Sequence, residues 1–166
     1  MNLLCSPTLL AIRQNHAIEH ATVHILARRY PYIRLMGRST PAGFWLIGDV
    51  DTQDVADAAT EAIARLQDGE RSLAVHPRCG TNIATAGVMA GIAALMAIGR
   101  RPRRRLDVLP QTVLAATLAV LLAQPVGMYL QENILTEPNV QGVRIAGVLQ
   151  QQVGRFVAHR VEVERD

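Results

Sequence analysis

The chain has 166 residues, of which 49% are hydrophobic but only 4% are aromatic. Mean hydropathy is positive, at +0.15, a composition that points toward lipid. The formal net charge of +3 depends on one arginine run, Arg100–Arg105, without which the chain would be slightly acidic. We therefore expect no general nucleic-acid-binding surface. The two cysteines, Cys5 and Cys79, form no C-x-x-C pair and give no disulfide framework.

The beginning of the chain predicts a small α+β domain over residues 1–81. Residues 7–28 have the pattern of a helix, because Ser6 can serve as the N-cap and Pro7 fits the first turn. A pair of arginines closes the segment before Pro31.

Short strands and a second helix follow in the predicted domain. Residues 32–39 and 43–51 predict a hairpin, since β-favouring residues flank a turn that contains proline and glycine. Residues 52–70 predict a helix with one apolar stripe, and the segment SLAVHP, residues 72–77, predicts a third strand. The expected order is a helix and then β-β-α-β.

Two uncharged apolar segments, residues 82–99 and 110–131, predict a transmembrane helical hairpin over 82–131. As helices rising about 1.5 Å per residue, their apolar stretches would cover roughly 24 Å and about 30 Å, against a hydrocarbon core of ~30 Å. Gly87 and Gly91 form a G-x-x-x-G pattern that lets a neighbouring backbone approach closely. This face predicts a contact with a second copy or with a membrane partner.

The alternative for these segments is a buried helical hairpin in a soluble α-rich protein. Few folds of 166 residues could cover two such helices on all sides, so we favour an integral protein of a prokaryotic cell membrane, in contact with the lipid bilayer. The positive-inside rule places the Arg100–Arg105 turn in the cytoplasm. Charged residues interrupt the N-terminal segment, so a cleaved signal peptide is not expected, and the side of the first domain stays open.

The C-terminal residues, 132–166, predict an amphipathic helix and a final strand. VLQQQVGRFV, residues 148–157, has helical spacing, whereas HRVEVERD, residues 159–166, alternates as strands do. We expect both elements to pack on the first domain. The predicted fold class is thus an α+β membrane protein with a two-helix hairpin.

The segment HAIEH, residues 16–20, carries the first chemical motif. A helix turns by about 100° per residue, so His16, Glu19, His20 and His24 share one face. The order H-x-x-E-H is the inverted zincin spacing, in which two histidines hold a divalent metal and the glutamate polarises its water. In the alternative interpretation, these are polar helix residues bonded to one another and to the backbone. We expect His24 to support the site or lie at the surface.

The second motif is HPRCGTN, residues 76–82, at the start of the first apolar segment. Pro77 excludes a regular helix there and Gly80 permits a tight approach, so His76 and Cys79 lie close to a helix N-terminus. The helix dipole favours an anion at that point, either a thiolate or a substrate oxygen. Cys79 is therefore a candidate metal thiolate, a candidate nucleophile or an inert small residue.

HAIEH and HPRCGTN, followed at once by apolar helices, resemble a prokaryotic family of uncharacterised multi-pass membrane proteins that are described as metal-dependent enzymes. The resemblance covers about residues 13–98. It implies a metal site with ligands drawn from His16, His20, His76 and Cys79, and with Glu19 as a base or as a partner of the ligands. This chain is short for the family, so a transport role carried by extra helices is not expected.

Thiolate and imidazole donors together favour zinc, and three protein ligands with one open position would make the site catalytic. Zinc lowers the pKa of its water toward ~7, and Glu19 could take that proton and deliver it to a leaving group. The expected function is zinc-dependent hydrolysis at the membrane boundary. Two alternatives stay open: a non-catalytic membrane scaffold or assembly protein, and a thiol enzyme with Cys79 as nucleophile and His16, His20 or His76 as its base.

Overall fold

The computed structural model describes residues 6–99, 105–154 and 156–166 of the chain. Cys5 and most of the predicted arginine turn, residues 100–104, lie outside the described residues. The chain divides into two units, each described by itself below. The globular unit combines Met1–His76 with Glu132–Asp166, and the helical unit is Pro77–Gln131.

Local signals at both ends set the first helix of the globular unit, α1, which spans Pro7–Arg29. Ser6 Oγ accepts a hydrogen bond from the N–H of Leu9 at 3.3 Å, and two arginines occupy the last turn. This capping satisfies a free N–H at one end and places cations near the negative end of the helix dipole. The predicted first helix is confirmed.

The predicted hairpin and second helix are confirmed as well. Strands β1, Met36–Thr40, and β2, Gly43–Ile47, pair antiparallel. Helix α2 spans Thr52–Gln67 and ends just before Gly69, whose φ is +95°, a backbone conformation that glycine adopts without strain. The apolar stripe of α2 is buried, and its buried members are Val55, Ala58, Ala59, Ala62, Ile63 and Leu66.

The prediction of a strand at SLAVHP is wrong, because Arg71–Ala74 form a 3₁₀ turn. Leu73 and Ala74 are buried in the core. The carbonyls of Ala74 and Val75 lie within hydrogen-bond distance of histidine rings of α1, at 2.7 and 2.8 Å. The segment is apolar because it packs under α1, and its backbone acceptors serve side chains instead of a sheet.

The predicted amphipathic helix in the tail is wrong too. Strand β3, Val143–Val153, and strand β4, Phe156–Arg165, form a long antiparallel hairpin. The turn between them contains Gly154, with φ at +61°, as the reversal of a hairpin favours. A short apolar run cannot separate helix from strand by its spacing alone. The predicted final strand, residues 159–166, is confirmed within β4, which ends at Arg165.

The four strands make one antiparallel sheet in the order β1-β2-β4-β3. The C-terminal strand β4 therefore lies beside β2, in the middle of the sheet. Helices α1 and α2 pack against each other, α1 against β1 and β2, and α2 against β3 and β4. The core between helices and sheet includes large apolar side chains at no more than 1% exposure, namely Ile18, Leu26, Phe44, Leu46 and Val161.

In the helical unit, α3, Gly80–Ile98, packs against α4, Arg105–Leu130, which continues into a π-helical turn. By length and composition, both helices could cross a membrane. Asn82 and Gln131 are buried polar residues, and Gln131 Nε2 donates to Asn82 Oδ1 at 2.8 Å. A Cβ at Gly127 would overlap the Asn82 amide, so the glycine makes room for this contact. The fold is mixed α+β, with a four-stranded antiparallel sheet and two helices that could span a membrane.

Candidate metal centre

Three histidines line one side of α1, as the spacing predicts. His16 and His20 are one turn apart, and their ring centroids are 4.3 Å from each other in an edge-on arrangement. His24 follows one turn later. The face is set by the helix itself, because residues four positions apart stack along its axis. Apolar neighbours in α1, Ala17, Ile18 and Ala21, are fully buried in the core.

His20 is oriented by the backbone of the 3₁₀ turn. Its Nδ1 lies 2.7 Å from the carbonyl oxygen of Ala74. A carbonyl can only accept, so Nδ1 carries the proton, and a neutral ring then has its lone pair on Nε2. The side chain is 2% exposed, and Nε2 has no hydrogen-bond partner among the residues that the structure describes.

A buried nitrogen without a partner destabilises a fold by about 1–3 kcal/mol. A metal ion on His20 Nε2 would satisfy that atom. Metal-binding histidines usually donate their other ring N–H to a carbonyl or carboxylate, which fixes tautomer and ring orientation. The Ala74 carbonyl provides this partner, so the surroundings of His20 fit a metal ligand.

His16 repeats the Nδ1 hydrogen bond of His20 to a backbone carbonyl, whereas His24 uses its other ring nitrogen. His16 Nδ1 lies 3.0 Å from the carbonyl oxygen of Leu135, in the segment that returns from the helical unit. By contrast, His24 bonds the carbonyl of Val75 through Nε2, at 2.8 Å, so its lone pair lies on Nδ1. Neighbouring histidines thus present different ring nitrogens.

His76 lies beside the row of histidines on α1. Its ring centroid is 4.9 Å from that of His24 and 5.9 Å from that of His20. The structure therefore brings all four of these imidazoles together in the globular unit, with His76 nearest to His24. The fifth histidine, His159, is fully buried on β4.

Glu19 turns toward β1. It is 6% exposed, and Ser39 Oγ donates to its Oε2 at 2.5 Å. A Cβ at Gly37 would overlap its carboxyl group. Burial raises the pKa of Glu19, and the Ser39 hydrogen bond and the nearby charge of His16 partly offset that rise. A carboxyl group with a raised pKa suits proton transfer near neutral pH.

Cys79 is the N-cap residue of α3. The N–H of Thr81 donates to its Sγ at 3.5 Å, and the thiol lies 3.4 Å from the Thr81 hydroxyl oxygen. A sulfur at a helix N-terminus is stabilised as a thiolate by the helix dipole and by the free N–H groups. The sequence indicated a helix N-terminus here, but not that the thiol itself would be the cap.

Of the predicted ligands, His16 and His20 lie next to each other on α1 in the globular unit, and Cys79 belongs to the helical unit. Glu19 is in contact with β1. Sequence reasoning missed Gly37 and Ser39, which enclose and orient the Glu19 carboxylate. The small residues of MGRS next to a predicted turn were their only signal.

Comparisons with known proteins place this chain in a family. A family profile described as Domain of unknown function (DUF6391) matches residues 11–148. An uncharacterized protein from Picosynechococcus sp. is 44% identical over 142 residues, which cover 77% of this chain and 67% of the relative. No solved structure matches the chain. Both motifs, residues 16–20 and 76–82, fall within the range matched by the profile.

Proposed function

This chain belongs to the family of the domain of unknown function DUF6391, and from that premise we propose that it is a membrane-embedded zinc-dependent hydrolase acting at the membrane boundary. One observation carries the proposal. His20 holds a buried Nε2 without a hydrogen-bond partner in the described part of the chain, while its Nδ1 bonds a carbonyl.

The surface of the helical unit supports a place in the lipid bilayer. Only 6% and 17% of the residues in the apolar windows of its two long helices are buried. Large apolar side chains such as Leu95, Met96 and Leu121 are 69–77% exposed. Leaving apolar surface in water is unfavourable by about 25 cal/mol per Å², and lipid would remove this penalty. We propose the cytoplasm as the side of the arginine-rich turn.

We propose His16, His20 and Cys79 as the ligands of the zinc ion. Imidazole and thiolate are donors that zinc prefers, and three of them leave a fourth position open. His76 is not part of this set in our proposal, because its ring lies closer to His24 than to His20.

Bound zinc would supply a Lewis acid that acidifies water near neutral pH. Glu19 would accept a proton on its carboxylate and pass it to the leaving group. Ser39 would hold the carboxylate in place through the bond to Oε2. Leu135 and Ala74 would fix the two imidazole rings through their carbonyl oxygens.

Elemental analysis of the full chain, purified in detergent, tests the metal site. We expect about one tightly held zinc to be lost when His16→Ala and His20→Ala are combined. His159→Gln is the matched control, because it removes a histidine outside the cluster and should keep the metal. A folded wild-type chain that holds no stoichiometric metal would contradict the proposal.

A second candidate, a thiol enzyme, is favoured by the position of Cys79 at the N-terminus of α3. A thiolate there could attack a carbonyl directly, with a histidine as its base. Cys79→Asp distinguishes the two. Alkylation of Cys79 abolishes both activities, whereas Cys79→Asp, which restores an anionic ligand but no nucleophilic sulfur, retains activity only in the zinc enzyme.

We also propose that α3 contacts a second copy of the chain in the membrane. No described atom lies within 4 Å of the position that a Cβ would take at Gly87 or Gly91. The packing of α3 on α4 thus leaves this G-x-x-x-G face open, and small residues of this kind let membrane helices approach closely. Gly87→Leu should weaken crosslinking between copies, and Gly80→Ala, at the end of α3, should not.

A further inference from the structure

His24 and His76 form a pair of their own. Their ring centroids are 4.9 Å apart and their planes are inclined by 65°. Two imidazoles bound to one tetrahedral ion at about 2.0–2.1 Å have ring centres about 5 Å apart. The separation of this pair therefore matches shared coordination.

The backbone between the two residues prepares the pair. Val75 accepts the Nε2–H of His24 at 2.8 Å, and His76 is the next residue in the chain. One peptide unit thus holds the first ring and carries the second. The bond places the lone pair of His24 on Nδ1 and orients it, as carbonyl partners do for metal-binding histidines.

Two features separate this pair from the donors around His20. The ring of His76 is 5.9 Å from His20 but 4.9 Å from His24. The neighbouring rings of α1 also use opposite nitrogens, since His20 bonds the backbone through Nδ1 and His24 through Nε2. Their lone pairs therefore belong to different ring positions.

We propose that His24 and His76 bind a second divalent metal ion, with water as the remaining ligands. Both side chains are half-buried, which leaves room for water. Two imidazoles favour zinc, cobalt, nickel or copper over magnesium and calcium, which prefer oxygen donors. The inference rests on the proposed function and extends it. Metal occupancy at the His24–His76 site is measured separately from occupancy at the thiolate site.

Titration of the detergent-purified, metal-free chain with Co²⁺ tests it. We expect two equivalents to bind. One should show the sulfur-to-cobalt charge-transfer absorption of a thiolate ligand, and the other, held by nitrogen and oxygen alone, should not. His24→Gln should reduce binding to one equivalent and leave the charge-transfer band intact, because glutamine can still donate to Val75 but lacks the imidazole donor.

Matched variants separate the two sites. His76→Asn should have the same effect as His24→Gln. Cys79→Ser should remove the charge-transfer band, while the cobalt equivalent that lacks this band stays bound. A wild-type chain whose single bound equivalent shows the charge-transfer band, or a His24→Gln chain that keeps both or loses both of two bound equivalents, overturns the second site. A single equivalent without that band keeps the second site only if His24→Gln removes it, and it then contradicts the thiolate ligand of the proposed function.

Discussion

Helices α1 and α3 are similar in length but opposite in what they bury. Over 23 residues, α1 hides polar groups in the core, with Asn15, Glu19, His20 and Thr22 all at 6% exposure or less. Over 19 residues, α3 exposes its apolar side chains, and its one buried residue in the described structure is Asn82. Buried polar groups need partners and exposed apolar groups need a nonaqueous solvent. The comparison supports the proposals of chemistry on α1 and of lipid around α3.

The largest effect should come from a charge on α3. Val88 is 62% exposed in the middle of the helix. In water, Val88→Arg would change stability by less than ~0.5 kcal/mol, but at the centre of a bilayer it is unfavourable by about 2.5–3.5 kcal/mol. We expect a large loss of membrane-inserted protein, measured by carbonate extraction and yield. The matched control is Ala64→Arg on the exposed side of α2, and equal yields for both variants would place α3 in water.

Removing His20 from α1 should abolish the stabilisation that zinc gives at the proposed thiolate site. At a free concentration one hundred times the Kd, a ligand of the folded state contributes about 2.7 kcal/mol. Zinc should therefore raise the melting temperature of the wild-type chain, and a chelator should reverse this. In His20→Ala the rise should be smaller, because only the proposed pair of His24 and His76 is left to bind zinc. An equal response of variant and wild type would show that the metal binds elsewhere.

Adding a methyl group at Gly37, next to Glu19, should disturb the packing of α1 against β1. A Cβ at Gly37 would overlap the Glu19 carboxyl group, so Gly37→Ala should lower the free energy of unfolding by about 1–3 kcal/mol. Gly147→Ala in β3 is the control, since nothing lies within 4 Å of its Cβ position among the described atoms. Chemical denaturation compares the two. Equal stabilities would mean that Glu19 moves aside without loss.

The smallest effect concerns the charge of Glu19. Burial raises its pKa from 4.5, so the unfolded chain releases this proton at lower pH than the folded chain. Glu19 therefore lowers stability as pH rises above 4.5. In the metal-free chain, Glu19→Gln should remove that decline with pH, while metal binding persists. Denaturation curves from pH 4.5 to 8 test the slope, and a steeper decline in the variant would contradict the sign.

The sequence predicts those parts that depend on local signals. Caps, turn residues and periodicity were sufficient for α1, α2, the β1–β2 hairpin and the two apolar helices. The predictions for SLAVHP and VLQQQVGRFV were wrong because a short apolar run is compatible with several secondary structures. Contacts with residues distant in the chain decide which of them forms. The place of β4 in the sheet, next to β2, could not be predicted from residues that neighbour it in the chain.

The candidate site divides in the same way. The shared face of His16 and His20 follows from helix geometry alone. The carbonyl partners of these rings, Leu135 and Ala74, lie 119 and 54 residues further along the chain. No local pattern predicts such partners, yet they decide which ring nitrogen is available for a metal.

The amide contact between α3 and the end of α4 has a consequence for how the two helices can align. Asn82 also donates to the carbonyl of Pro77 at 2.8 Å, so one side chain joins the residues before α3 to both helices. Sliding α3 by a single turn would separate the two buried amides and push a side chain against Gly127. The amide pair therefore favours a single alignment of the two helices over its neighbours in register.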